Sequence, residues 1–283
     1  MTRITQVSIA VLSAAAIGLN AGQVAKPGGS TTTGASSKLG NPVLSEQYGA
    51  LRTDFDVAGR RGFVITPPKP AADGSKPWLW YAPTLIDRYP NARHEWLLSR
   101  LLRAGFFIAG MDVGESWGNP KGRRIYTEFY ETAVTHFGLS RKACLMPQSR
   151  GGLMLYNWAA EHPEWVQCVG GIYPVCNIGT SSISDAVPTA YGITETEMRT
   201  RLAEHNPVDR LAGLAAQKVP ILHLHGDADR VVPLESNSAE LARRYAALGG
   251  KAEIVVIMGK GHEEAPEFFE SERLLQFLLT QGK

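Results

Sequence analysis

The segment Leu145–Gly152, with the sequence LMPQSRGG, places a serine between an apolar run and a helix-forming run. Gly151 and Gly152 follow Ser149 closely and allow a very tight turn. Such a turn lifts the serine hydroxyl clear of a sheet and directs a helix N-terminus toward it, which is the layout of a nucleophile elbow. Pro147 stands where a small residue is usual. Because proline fixes φ and lacks an N–H, the strand must end there.

The rest of the chain alternates short apolar runs with longer amphipathic ones. Strands are predicted in the apolar runs at 63–66, 78–82, 105–111, 143–146, 166–173, 219–224 and 254–257. This alternation predicts an α/β fold with a mostly parallel central sheet and helices on both faces. The stretch 178–217 breaks the rhythm, so we predict a small insertion near the site, either a partial cap over it or a surface excursion.

A serine nucleophile needs a base and a carboxylate, which follow later strands in the order acid, then histidine. Asp229 comes just beyond the end of one late strand, and we predict it as the acid. Asp227 is the alternative, and its other role is to make hydrogen bonds within the turn. The next strand ends in GKGH, whose glycines allow the loop to bring His262 back across the sheet. The sequence therefore predicts Ser149, Asp229 and His262 as a catalytic triad.

With these motifs the chain resembles the α/β-hydrolase superfamily, most nearly its prolyl-oligopeptidase-like and dienelactone-hydrolase-like branches and exported bacterial esterases. The resemblance rests on three segments, Pro147–Gly152 (PQSRGG), His225–Pro233 (HGDADRVVP) and Gly259–His262 (GKGH). It implies the α/β-hydrolase fold, with Ser149 as nucleophile, Asp229 as acid and His262 as base.

An oxyanion hole needs two N–H donors. The N–H of Arg150 is predicted as the first, because it follows the nucleophile at a helix N-terminus. The second is predicted from Tyr81 or Ala82, since Pro83 has no N–H to donate. The Ser149–Arg150 pair is similar to that of glucuronoyl esterases, where the arginine assists the oxyanion and helps bind a sugar ester. The lysine that follows in those enzymes is absent here, and the alternative role for Arg150 is a surface cation.

Further substrate-binding candidates share a position just after a predicted strand: Asp112, Trp117, Tyr173 and Asn177. Strand ends of this kind meet at the edge of the sheet where ligands bind. Trp117 is predicted either to stack on a sugar ring or to pack within its loop. We predict no metal site and no cofactor, because no Cys or His neighbours stand at metal-ligand spacing.

The N-terminus predicts an exported protein. Residues 1–21 have a positive start, an apolar run and a small-residue cleavage site, as in a signal peptide. Residues 22–45 are predicted as a flexible linker rich in Gly, Ser and Thr, and residues 46–283 as the hydrolase domain. The expected location is secreted or periplasmic, with no stable membrane insertion after cleavage. The three cysteines are predicted as buried free thiols, and Cys144 and Cys168 are able to lie side by side on adjacent strands.

The predicted activity is that of a serine esterase. A net charge of +2 argues against nucleic-acid binding, and a small-molecule or carbohydrate ester is the expected partner. A serine peptidase of the prolyl-oligopeptidase-like type is the first alternative, because the same acyl chemistry serves both. A non-catalytic binding protein with a hydrolase fold is the second.

Overall fold

The computed structural model describes residues 39–85, 89–179 and 186–283. The predicted signal peptide and most of the predicted linker lie outside these residues. The linker boundary at residue 45 is wrong, because Gly40–Gln47 forms the first strand, β1. Among the described residues, this strand lies at the edge of the sheet with one pairing neighbour, and it is largely exposed. Its polar composition therefore resembles that of a linker. A tight turn at Tyr48 and Gly49, both with positive φ (54° and 73°), joins it to the next strand.

The remaining strands of the sheet are β2 (Ala50–Val57), β3 (Arg60–Thr66), β4 (Trp78–Ala82), β5 (Phe107–Met111), β6 (Ala143–Pro147), β7 (Val166–Ile172), β8 (Ile221–Gly226) and β9 (Ala252–Ile257). In the described residues they form one sheet in the order β1-β2-β3-β5-β4-β6-β7-β8-β9. The β1–β2, β2–β3 and β3–β5 pairs are antiparallel, and the other pairs of the sheet are parallel. The predicted α/β class and mostly parallel sheet are confirmed.

The helices are α1 (Glu95–Arg103), α2 (Pro120–Thr135), α3 (Gly151–Glu161), α4 (Ala186–Tyr191), α5 (Glu195–Thr200), α6 (Leu202–His205), α7 (Ala212–Ala216), α8 (Glu240–Ala247), α9 (Pro266–Phe269) and α10 (Glu272–Gln281). Alternate residues of β4 point to opposite faces of the sheet. Trp80 packs with α2, α3, α7 and α8 in one core, and Leu79 packs with α1, α9 and α10 in the other. Both faces of the sheet are therefore covered, as the sequence predicts. Among the described residues, no helix has the length and apolar content needed to cross a bilayer.

The insertion between β7 and β8 is described at 178–179 and 186–217, and the second of these segments contains α4 to α7. Its polar segment forms two short helices, α5 and α6. Val187 and Met198 pack against Leu153 of α3 and against Val232 in the loop after β8. This packing ties the insertion to the loops at the carboxyl ends of the strands.

The three cysteines are buried free thiols, as predicted. Cys144 of β6 and Cys168 of β7 are register partners, and their sulfur atoms lie 2.9 Å apart. Burial raises the pKa of the Cys168 thiol. Both side chains are buried in the core and pack as small apolar groups.

Candidate active site

Ser149 stands in a strained turn between β6 and α3. Its φ is +49°, in the left-handed region that side chains rarely adopt. The Ser149 N–H donates to the carbonyl of Ile172 (3.1 Å), and the Ser149 carbonyl accepts from the N–H of Val175 (2.8 Å). Backbone bonds to both ends of the turn therefore hold the serine in place. Strand β6 ends at Pro147, as predicted from the missing proline N–H.

The two glycines after the serine allow α3 to cross very close to neighbouring backbone. A Cβ on Gly151 would lie 2.1 Å from the Ala82 carbonyl oxygen, and one on Gly152 would lie 2.2 Å from the Val175 carbonyl oxygen. No side chain fits at such distances. The two glycines are thus required by the packing of α3.

The structure brings the three predicted triad residues into one hydrogen-bonded line. Ser149 Oγ lies 2.9 Å from His262 Nε2, and His262 Nδ1 lies 2.8 Å from Asp229 Oδ2. The other carboxylate oxygen of Asp229 accepts from the N–H groups of Val231 (2.9 Å) and Val232 (2.8 Å). With Nδ1–H on the carboxylate, Nε2 is the atom that can accept the serine proton.

The loops that carry Asp229 and His262 touch each other. A Cβ on Gly226 would lie 2.1 Å from the Lys260 carbonyl oxygen, and that oxygen accepts from the Ala228 N–H (3.0 Å). The close approach depends on glycine at residue 226 and fixes the distance between acid and histidine.

Asp227, the alternative acid, has the turn role that the sequence allowed for it. Its Oδ1 accepts from the N–H of Gly259 at 2.6 Å, and it contacts the histidine loop there rather than His262 itself.

The charge of Asp229 is supported by its hydrogen bonds. Burial alone would raise the pKa of this carboxyl, but the bonds from His262 and from the Val232 and Val231 N–H groups outweigh burial and leave the pKa below its usual value. The group is therefore an anion at neutral pH.

A pocket of about 250 Å³ lies above the serine. Of the predicted residues, Ser149, Arg150, Tyr81, Tyr173 and His262 line it. The ring centroid of Tyr173 is 4.5 Å from that of His262. None of the described insertion residues lines this pocket, so their part in binding stays a prediction.

Ala82 lies beneath the pocket at the end of β4. It is fully buried, and its carbonyl accepts from the Gln148 N–H at 2.8 Å. The choice of Tyr81 or Ala82 as second oxyanion donor stays a prediction.

The Arg150 side chain is paired with an acid. Its Nε and Nη2 lie 2.8 and 2.9 Å from the two carboxylate oxygens of Glu115. The guanidinium charge at the rim is thus largely compensated.

Three predicted substrate-binding residues have other contacts and do not line the described pocket. The Asp112 carboxylate accepts from the Gly114 N–H (2.7 Å) within its own loop. Trp117 packs beside the insertion, in the apolar cluster around Leu153, Val175, Val187, Met198 and Val232, rather than within its own loop. The Asn177 amide donates to the Ser236 carbonyl (3.0 Å) and ties two loops together.

The structure also brings unpredicted residues into the pocket: Pro83, Tyr89, Gln148, Glu263 and Glu264. Glu264 accepts a hydrogen bond from the Tyr89 hydroxyl (2.7 Å). Gln148 accepts from the Tyr81 hydroxyl (2.8 Å) and contacts Nε2 of the buried His94 (2.9 Å). The position of the two glutamates directly after His262 was a usable signal. Gln148 lies within the PQSRGG segment, but that segment assigns no role to its amide, so the sequence held no signal for its contacts.

Metal ions in proteins are commonly bound by groups of His, Cys, Asp and Glu side chains. Within 39–85, 89–179 and 186–283, no three His, Cys, Asp or Glu side chains are grouped as metal ligands.

The fold and the site define a serine hydrolase of the α/β-hydrolase type. The model of the prolyl oligopeptidase family matches residues 129–281, more than half of the chain, so the chain belongs to this family. No curated protein matches the chain.

Solved structures share the fold. One is a putative dipeptidyl aminopeptidase IV from Bacteroides ovatus, with 12% identity and a TM-score of 0.67 over 86% of this chain and 36% of that one. An acylaminoacyl peptidase from Pyrococcus horikoshii has 15% identity and a TM-score of 0.62 over 86% and 42%. An S-formylglutathione hydrolase from Agrobacterium tumefaciens has 15% identity and a TM-score of 0.59 over 85% and 99%. The chain thus spans about two fifths or less of these two peptidases and almost all of the last enzyme.

The packing around the nucleophile elbow predicts that two glycine-to-alanine substitutions differ strongly in their effect on stability. Gly152→Ala places a methyl against the Val175 backbone and is expected to lower the unfolding free energy by about 3 kcal/mol and to abolish most activity. Gly261→Ala, beside His262, meets its nearest atom at 3.7 Å and is expected to change the unfolding free energy by less than about 1 kcal/mol. Urea denaturation and turnover of an ester substrate measure both. A Gly152→Ala protein as stable and active as wild type would contradict the close crossing.

Proposed function

We propose that the protein is an exported carboxylic ester hydrolase that forms an acyl-enzyme on Ser149. The observation that carries the proposal is the continuous line from Ser149 Oγ to His262 Nε2 (2.9 Å) and from His262 Nδ1 to Asp229 Oδ2 (2.8 Å). A serine becomes an effective nucleophile when a positioned base takes its proton as it attacks.

In the first half-reaction the Ser149 oxygen attacks the ester carbonyl carbon, and its proton passes to His262 Nε2. Asp229 stabilises the imidazolium that forms, and the Arg150 N–H holds the oxyanion together with a second donor. The C–O bond to the alcohol then breaks, and His262 gives its proton to the leaving oxygen.

In the second half-reaction a water molecule attacks the acyl-enzyme. His262 accepts the water proton as base, and the tetrahedral intermediate collapses to release the acid and restore the Ser149 hydroxyl. The same three residues therefore serve both halves.

The surroundings of the serine support a polar ester, such as a carbohydrate ester, as substrate. A second cavity of about 530 Å³ shares Glu264 with the serine pocket and is lined by Trp96, Arg93, Glu95 and Glu270 among others. An aromatic ring among both acidic and basic groups suits a polyol, which donates and accepts hydrogen bonds and presents apolar C–H faces. An exported enzyme would meet such esters outside the cytoplasm.

A serine peptidase is the second candidate, and the charge of the pocket favours it. Glu263 and Glu264 line the pocket, and the one guanidinium among its described lining residues, that of Arg150, is already paired with Glu115. The excess negative charge suits a substrate amine. Two of the structural neighbours are called peptidases, and this chain corresponds to a minor part of each.

The acid role predicts a sharp difference between two aspartates that are two positions apart. Asp229→Asn is expected to lower kcat by about 10⁴-fold with the fold intact, because an amide cannot hold the imidazole in the required tautomer. Asp227→Asn is the matched control, and we expect kcat within about threefold of wild type, since the Asp227 carboxylate accepts from the Gly259 N–H and an amide oxygen can accept the same bond. Steady-state kinetics with a soluble aryl ester measure both. Loss of activity in Asp227→Asn with full activity in Asp229→Asn would transfer the acid role to Asp227.

A substrate panel separates the two candidate functions. Acetyl, feruloyl and glucuronate methyl esters are compared with peptide p-nitroanilides, using wild type and Ser149→Ala. We expect wild type to cleave esters with the higher kcat/KM and the variant to cleave neither class. Cleavage of anilides without esters would overturn the ester proposal. If peptides are the substrates, Glu264→Gln should raise KM for those with a free amino terminus and leave neutral esters unaffected.

A further inference from the structure

A buried hydrogen-bonded chain links four side chains behind the triad acid, those of Tyr156, His223, Ser238 and His225. The Tyr156 hydroxyl lies 2.7 Å from His223 Nε2, and His223 Nδ1 lies 2.9 Å from Ser238 Oγ. Ser238 Oγ lies 2.7 Å from His225 Nδ1, and His225 Nε2 lies 2.7 Å from the Val232 carbonyl oxygen. All four side chains belong to residues that are 2% exposed or less.

The donors and acceptors of this hydrogen-bonded chain allow one direction of donation, from Tyr156 toward Val232, because the Val232 carbonyl fixes the proton positions on both imidazoles. The Val232 carbonyl can only accept, so His225 carries its proton on Nε2. Nδ1 of the neutral ring then accepts from the Ser238 hydroxyl, whose oxygen accepts from His223 Nδ1–H. His223 Nε2 accepts from the Tyr156 hydroxyl. Each histidine donates once and accepts once, which is the capacity of a neutral imidazole.

Burial keeps both rings neutral. It lowers the pKa of His223 to about 3 and also lowers the pKa of His225. Both rings are therefore neutral at neutral pH.

The hydrogen-bonded chain ends at Val232, whose backbone also binds the triad acid Asp229. Val232 accepts from His225 through its carbonyl and donates through its N–H to Asp229 Oδ1 at 2.8 Å. His225 Nε2 also lies 3.7 Å from Asp229 Oδ2, the oxygen that faces His262. Because the single N–H of His225 is directed to Val232, Oδ2 is left to His262.

We propose that His225 is a positioning residue for the triad acid, acting through the Val232 backbone and held in one orientation by Tyr156, His223 and Ser238. The proposal rests on the proposed function, in which Asp229 orients His262. An error of about 1 Å in such a group can cost about a hundredfold in rate.

The test compares His225→Leu with His225→Gln. Leucine has a similar volume and no N–H, so it leaves the Val232 carbonyl without its donor. We expect kcat per titrated active site to fall by about 10- to 100-fold with KM within about twofold. Glutamine places an N–H near the Nε2 position and is expected to restore kcat to within about fivefold of wild type.

The control is Tyr245→Phe, which removes another buried donor to a backbone carbonyl, that of Val219 at 2.7 Å. It is expected to lower stability with kcat per active site unchanged. The proton NMR signal of His262 Nδ1–H reports the bond to Asp229 directly. We expect this signal to shift or broaden in His225→Leu and to stay in place in Tyr245→Phe.

The outcomes are separable from failure of the proposed function. Full activity in Asp229→Asn refutes the acid role of Asp229, the part of the proposed function on which the positioning role rests, whatever His225 does. The positioning role alone is overturned if Asp229→Asn loses activity while His225→Leu keeps the wild-type kcat per active site and an unshifted His262 Nδ1–H signal. If His225→Leu does not fold, Ser238→Ala carries the test, because it removes the donor to His225 Nδ1. A severalfold lower kcat and a shifted signal support the proposal, and wild-type values for both overturn it.

Discussion

The site depends on the close crossing of α3 over the ends of β4 and β7. Gly151 and Gly152 bring the helix within contact of the Ala82 and Val175 backbone, where any side chain would clash. This packing holds Ser149 at a positive φ that its own conformational preference opposes. The hydroxyl is thus exposed at one point above the sheet, and every other functional group has to reach that point.

Two polar assemblies support the serine and its partners from below. Gln148 joins Tyr81 and His94 under the pocket, while the chain from Tyr156 to His225 ends at the loop that holds the acid. Buried polar groups of this kind are costly unless all are paired, and paired groups allow few alternative arrangements. The loops at the carboxyl end of the sheet are therefore fixed by hydrogen bonds as well as by apolar packing.

The sequence predicted the sheet class and the three triad positions, because apolar periodicity and glycine turns are local signals. Strands β1 and β2 were missed, since β1 is largely exposed and lacks an apolar face. Asp112 and Asn177 were expected at the site from their positions after strands, yet their polar groups bond to nearby backbone. Such choices depend on loop contacts that strand order does not encode. Gln148 shows the converse, a buried amide whose partners lie on distant elements.

The proposed mechanism requires Ser149 to be a nucleophile activated by His262. Labelling of the folded protein with a fluorophosphonate, followed by peptide mass spectrometry, measures this activation, because the reagent reacts with activated serines. We expect one label per chain, on Ser149, and labelling slowed by orders of magnitude in His262→Ala. A label on another serine, or none on a folded protein, would refute the role of Ser149 and favour a binding protein with a hydrolase fold.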